Sequence, residues 1–228
     1  MAGRRPLSHD EERRLLRVVR GLKPRDRVLI SVQWFCGYRI SEVLSLPVGS
    51  VWRNDQLVTK IGVTPLHLKG HYGRTRWVPV LPELASDLHS YLVHLRRKYM
   101  LTPDLPLFLS RKSNPDGAAR AITRKAARDL IRGAFVKAGI EDDGRLGMHS
   151  LRKTFARAVY RHSGNDLMVL KSALGHSDVS TTQKYLEVEE DVVAAAIAKV
   201  DFTRKPRNTV PVVAPIAVPA APALTAAA

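Results

Sequence analysis

The spacing of apolar residues changes period twice along this chain, and that change constrains the fold more than any single motif does. Before residue 47 the apolar positions recur at helical spacing. Residues 51–63 and 66–80 are instead rich in β-branched and aromatic side chains with glycines between them, and from Pro82 onward the helical spacing returns. The pattern predicts an α+β fold that is mainly α-helical, with one small antiparallel β-sheet or hairpin turning at residues 70–73, where Gly70 and Gly73 free the backbone.

Local signals place the helices. Ser8 followed by Glu11 predicts a capping box opening a helix to about Arg20. Asp26 is expected to cap a second helix that carries Val28, Leu29, Val32, Trp34 and Phe35 into the core and ends at Gly37. A third begins at Tyr38 or Arg39 and stops at Leu46, because Pro47 disfavours helical geometry in the residue before it. Pro82 suits a first helical position, with Leu84, Leu88, Leu92 and Leu95 following at helical spacing. Residues 107–109 read as a short extended piece. Further helices are predicted over 123–138, 150–162, 166–173, 181–186 and 189–200. One folded domain is expected over 1–203, followed by a disordered Pro/Ala-rich tail over 204–228.

Charge narrows the partner. Lysine and arginine number 37 against 21 acidic residues, a net of +16, which points to an anionic partner and to nucleic acid first. The single cysteine, Cys36, excludes an intrachain disulfide and a cysteine-based zinc site. None of the eight histidines forms HExxH, and His89 and His94 stand five apart, off a common helix face. No metal or cofactor is therefore expected. Residues 1–7 lack the apolar run of a secretory signal, and prolines divide the apolar C-terminal stretch into pieces too short to span a bilayer. The expectation is a soluble cytosolic protein, associated with the nucleoid, without a membrane partner.

Four local patterns could carry chemistry: Arg39-Ile-Ser-Glu42, Lys69-Gly70 beside the predicted turn, His149-Ser-Leu-Arg152, and Leu174-Gly-His176 followed nine residues later by Tyr185. Singly, each has an ordinary explanation, such as a surface ion pair for Arg39 and Glu42 or a helix-start histidine for His149. In this order and spacing, GYRISEVLSL (37–46), HSLRKTFA (149–156) and LGHSDVSTTQKYL (174–186) resemble the catalytic domain of the tyrosine recombinases, also called phage integrases. The resemblance runs from about Ser8 to Val200.

That resemblance implies a site-specific DNA recombinase acting through a 3′-phosphotyrosyl link at Tyr185, with double-stranded DNA as partner and no metal or ATP. Chemistry gives each implied role a reason. A phosphodiester repels nucleophiles unless fixed cations surround its oxygens, and the planar forks of Arg39 and Arg152 suit that task, with Glu42 orienting the first. A phenol is a poor nucleophile at neutral pH, so Tyr185 needs a base, which the family match assigns to His149. The departing 5′-oxygen needs a proton, assigned by position to Lys69, with Lys60 in the same predicted sheet as the alternative. His176 would hydrogen-bond the phosphate.

Only 38 residues precede Arg39, whereas most family members carry a separate DNA-binding domain there, so a short form resting on the catalytic domain is expected. In the family the helix after the tyrosine commonly docks on a neighbouring subunit. Residues 189–200 are expected to do so here, in a homo-oligomer of two to four copies on DNA. Two other readings compete: a DNA-binding regulator without cleavage activity, and an enzyme like the type IB topoisomerases.

Overall fold

A computed structural model describes residues 4–64, 75–111, 118–176 and 182, all within one compact unit, residues 1–187. Helix α1 (His9–Arg20) opens with the predicted capping box: Ser8 Oγ accepts from the Glu11 N–H at 3.2 Å, and Glu11 Oε2 accepts from the Ser8 N–H at 2.7 Å. Helix α2 (Pro24–Cys36) starts two residues before the expected cap, because Pro24 takes the first helical position. Asp26 is consequently inside the first turn. Its buried carboxylate accepts from Arg25 at 2.5 Å and Arg111 at 3.3 Å instead of capping the helix. Helix α3 (Ile40–Leu44) is shorter than its predicted span and is followed by a single 3-10 turn over Val48–Ser50.

The β region is divided more finely than the sequence pattern suggests. Strands β1 (Trp52–Arg53) and β2 (Gln56–Leu57) pair antiparallel around Asn54 and Asp55, both at positive φ (49° and 56°). These are the two central residues of a tight hairpin turn of the type that matches strand twist. Strand β3 (Lys60–Val63) pairs antiparallel with β4 (Arg76–Pro79), with Lys60 opposite Pro79 and Val63 opposite Arg76. The predicted turn at 70–73 lies outside the described residues. Residues 107–109, expected to be extended, bend at Leu107 and Phe108 and carry a single isolated bridge, Leu109 to Ala121.

Helices α4 (Pro82–Arg96), α5 (Arg124–Lys137), α6 (Met148–His162) and α7 (Leu167–Leu174) complete the described structure. Helix α4 buries Leu84, Leu88, Leu92 and Leu95, the predicted stripe, together with Tyr91. Each such side chain contributes on the order of 2 kcal/mol of burial free energy. Helix α2 lies at the centre. Nine of its thirteen residues are buried, and it packs against α4 on one side and α6 on the other. A helix apolar nearly all round belongs in a core, and this one fixes α6, which carries His149 and Arg152. The predicted helices over 181–186 and 189–200 and the tail over 204–228 lie outside the described residues, Thr182 apart. No described helix is long and apolar enough to cross a membrane.

Candidate active site

Two helix ends meet at the site. Helices α2 and α7 each end on a glycine in the left-handed conformation, Gly37 (φ 59°) and Gly175 (φ 65°), which leaves last-turn carbonyls in need of donors. Arg152, fully buried on α6, supplies them. Its Nη1 donates to Gly37 O at 2.5 Å, and its Nη2 donates to Leu174 O at 2.8 Å and faces His176 Nε2 at 3.0 Å. Guanidinium charge beside helix C-termini is favoured by the helix dipoles as well as by the hydrogen bonds. Gly37 also brings α6 close: a Cβ there would lie 2.1 Å from Phe155 Cδ1.

Arg39 is the residue just before α3 rather than part of it, and Glu42 reaches back to it. Glu42 Oε2 accepts from the Arg39 N–H at 2.7 Å, and Oε1 accepts from Arg39 Nη1 at 2.8 Å. The same buried carboxylate lies 3.8 Å from Arg152 Nη1. One acid thus stands between two guanidiniums. The Arg39 side chain remains 38% exposed and, with five donors and Nη1 given to Glu42, keeps donors for an incoming anion.

His149 sits in the first turn of α6 and faces solvent. Its pKa is lowered from the usual histidine value, first by partial desolvation, then by Arg152, Arg39, Arg124 and Arg4. The ring is therefore neutral, and able to accept a proton, over a wider range of pH than a free histidine. Arg4 fixes the approach to it by donating to Gly144 O at 3.0 Å and Leu146 O at 2.5 Å. The N-terminal strap is anchored on α6 as well, through the Leu7 N–H to Thr154 Oγ1 at 2.9 Å.

His176, buried just beyond α7, has its pKa lowered to about 4, by burial first and then by Arg152, Arg39 and Arg76. A guanidinium can only donate, so His176 Nε2 is the acceptor toward Arg152. Nδ1 then carries the hydrogen and donates to Thr182 Oγ1 at 3.0 Å. In this arrangement His176 offers no N–H from Nε2. Donating from that nitrogen to a phosphate requires the other tautomer, or a protonated ring, with Arg152 displaced.

The structure therefore brings Arg39, Glu42, Arg152 and His176 into one network and places His149 one helical turn from Arg152. Lys69 and Tyr185 lie outside the described residues. Lys60 is exposed on β3. Sequence reading missed Arg76 on β4, whose Nη2 donates to Cys36 O at 2.8 Å and Nη1 to Leu174 O at 3.1 Å. The one signal in the sequence was an arginine opening the apolar run Trp77-Val78-Pro79-Val80. Among the described residues no group of three His, Cys, Asp or Glu side chains could hold a metal ion.

Comparison with known proteins matches residues 5–191 to the phage integrase family. The chain is 30% identical over 194 residues to the tyrosine recombinase XerC of Caldanaerobacter subterraneus, covering 85% of this chain and 50% of that protein. It is 34% identical over 169 residues to XerD of Ralstonia nicotianae, covering 73% and 49%. The chain thus spans about half the length of the curated relatives it matches. The crystal structure of XerA recombinase superposes with a TM-score of 0.67 at 26% identity, covering 87% of this chain and 65% of that one. XerH bound to its difH substrate before cleavage gives 0.63 at 24% identity, covering 85% and 54%, a likeness of fold.

Proposed function

This chain belongs to the phage integrase family, and from that premise we propose that it is a tyrosine-type site-specific DNA recombinase. The observation that carries the proposal is the buried network in which Arg152, Glu42 and Arg39 converge beside His149. A DNA-binding regulator needs Arg152 only to satisfy the two helix ends and gains nothing from a partly exposed guanidinium set beside an imidazole of lowered pKa. An enzyme that must stabilise a pentavalent phosphate gains a preorganised field in a low-dielectric site.

In the proposed reaction the Tyr185 hydroxyl oxygen attacks the scissile phosphorus, and its proton passes to His149. Arg39 donates to the non-bridging oxygens while charge builds on them, and Arg152, buried on the helix-end carbonyls, adds fixed positive charge behind it. The bond from phosphorus to the 5′-oxygen breaks, and that oxygen leaves with a proton from Lys69. The result is a 3′-phosphotyrosyl link and a free 5′-hydroxyl, and a second strand's 5′-hydroxyl reverses the steps. The ester is exchanged rather than hydrolysed, so no ATP is consumed. The register of the sheet weighs against Lys60 as that acid. Arg76 marks the end of the β3–β4 pair nearest the site, and Lys60 lies three residues farther along, about 10 Å at the rise of a strand. Duplex DNA is the proposed substrate, bound by two to four copies of the chain. An apolar groove lined by Trp34, Phe35, Trp77, Phe155 and Val159 is the proposed seat for residues 189–200 of a neighbour.

The test is a pool of nicked, end-labelled duplexes with randomised cores, from which those that form denaturant-resistant adducts with the full chain are recovered and sequenced. Tyr185→Phe is expected to abolish the adduct while retaining binding. An adduct that persists in that variant overturns the nucleophile assignment, and a wild-type chain that forms none favours a regulator. Exchange between two recovered duplexes separates a recombinase from a topoisomerase.

A further inference from the structure

We propose that Gln33 and Arg4 are positioning residues for His149: from the core and from the surface they grip the junction where the loop over residues 143–147 becomes α6, and so hold the proposed base at the phosphate site. The proposal rests on the recombinase reading above.

Helix α6 begins without a capping side chain. Its N-cap residue is Gly147, which has nothing to offer the first-turn N–H groups, and His149 is the second residue of that turn. What holds the junction comes from elsewhere in the chain. Arg4 Nη1 donates to Gly144 O and Leu146 O, the Arg5 N–H donates to Arg145 O at 3.0 Å, and Gln33 Nε2 donates to Met148 O at 2.8 Å. The carbonyls of residues 144, 145, 146 and 148 are thus all held by segments at least 115 residues away in sequence. Arg4 also lies across the N-cap, where a Cβ on Gly147 would come within 3.3 Å of its Nε. Arg152, one turn farther along α6, is anchored separately on Gly37 O and Leu174 O. Loosening the junction therefore displaces His149 first.

Gln33 is a poor choice for packing alone. It is buried in the middle of α2. A carbonyl can only accept, so the amide nitrogen faces Met148 O, and Gln33 Oε1 is left with no hydrogen-bond partner among the described residues. A buried acceptor without a donor is unfavourable, and leucine would fill a similar space without that penalty. What the amide adds is its hold on the start of α6. Arg4 adds charge as well as grip. Beyond partial desolvation, four cations from four parts of the fold hold the His149 ring below the usual histidine value: Arg152 on its own helix, Arg39 before α3, Arg124 on α5 and Arg4 on the strap. A general base must be neutral and within reach of the proton it takes, and the two grips serve both conditions.

The experiment uses the full chain in two assays. The first titrates the His149 ring by NMR in the DNA-free protein, with His149→Gln identifying the resonance. Arg4→Gln is expected to move the midpoint upward, because a cation is lost. Gln33→Leu should leave it unchanged and keep the urea midpoint at or above the wild-type value. The second assay is single-turnover cleavage of a duplex recovered as above, at saturating protein and across a pH series. Both variants are expected to cleave at least about fivefold more slowly than the wild type at the plateau. Only Arg4→Gln should shift the low-pH limb, in the direction seen in the titration. A wild-type plateau in Gln33→Leu, or a slowing accompanied by a lower urea midpoint, overturns the role of Gln33. For Arg4, an unmoved titration midpoint overturns it, as does a wild-type rate at saturating protein, the result that loss of a mere DNA contact would give. If the wild type forms no adduct, the recombinase reading itself fails, and the titration, which needs no DNA, still decides whether Arg4 acts on the ring.

Discussion

Glu42 stands between Arg39 and Arg152, and its two neighbours differ in what they lose without it. Arg39 is partly solvated and can turn to water, but Arg152 is fully buried and would lose the carboxylate 3.8 Å from its Nη1. Glu42→Ala is therefore expected to destabilise the fold by on the order of 3 kcal/mol, measured by urea unfolding; a loss below about 1 kcal/mol would show that Arg152 is satisfied without it. His176 makes stability depend on pH. The folded ring binds a proton only near pH 4, against 6.5 for an unperturbed histidine, so between those values the unfolded chain holds the extra proton. Stability from this group is complete above pH 6.5 and is lost as the pH falls toward 4. Replacing His176 by Gln should flatten the decline of the urea midpoint across that window. An unchanged slope would mean that the ring titrates normally.

Among the elements, the helix ends matter most, because they present the carbonyls that hold the arginines. Gly37 combines a left-handed conformation with an approach to Phe155 that leaves no room for a methyl group. Gly37→Ala is expected to cost at least about 2 kcal/mol, through backbone strain and overpacking together. Gly133 is the contrasting case. It lies inside α5, with nothing within 4 Å of a Cβ built on it, so Gly133→Ala should raise stability by about 0.5–1 kcal/mol through helix propensity. Thermal unfolding of the two variants should move in opposite directions, and a shift in the same direction would contradict the local geometry described for one of them. The short hairpin β1–β2 shows the same logic in another element: the positive φ of Asn54 and Asp55 sets where a predicted long strand breaks.

At the scale of the whole molecule, the net charge of +16 makes the proposed DNA binding a counterion-release problem. The exposed Arg124, Lys125 and Arg128 open α5, and Arg124 is among the cations that lower the pKa of His149. This basic face therefore leads toward the site. If each of the three side chains neutralises one backbone phosphate, replacing all three with Ala should reduce the slope of log K against log salt by about 2–3. Fluorescence anisotropy across a salt series measures it. An unchanged slope would assign the face to solvent.

Sequence by itself determined what depends on neighbours along the chain. The change of apolar period set the mainly helical fold with its short β region. Ser8 with Glu11 set a helix start, Gly37 and the Leu174-Gly175 turn set helix ends, and Arg39 with Glu42 formed the expected pair, since residues three apart meet whatever surrounds them. Where two local signals competed, at Pro24 and Asp26, the proline prevailed because its backbone angle is fixed before any side chain finds a partner. Tertiary structure alone decided the rest. Arg152 reaches a carbonyl 115 residues away in sequence and Arg76 one 98 residues away, contacts that exist only because α6, α7 and β4 converge on the end of α2. The same convergence fixes the tautomer of His176, because the atom facing its Nε2 is a guanidinium donor. Spacing can nominate residues suited to a phosphate, but the packing of distant elements decides which are buried and which proton each holds.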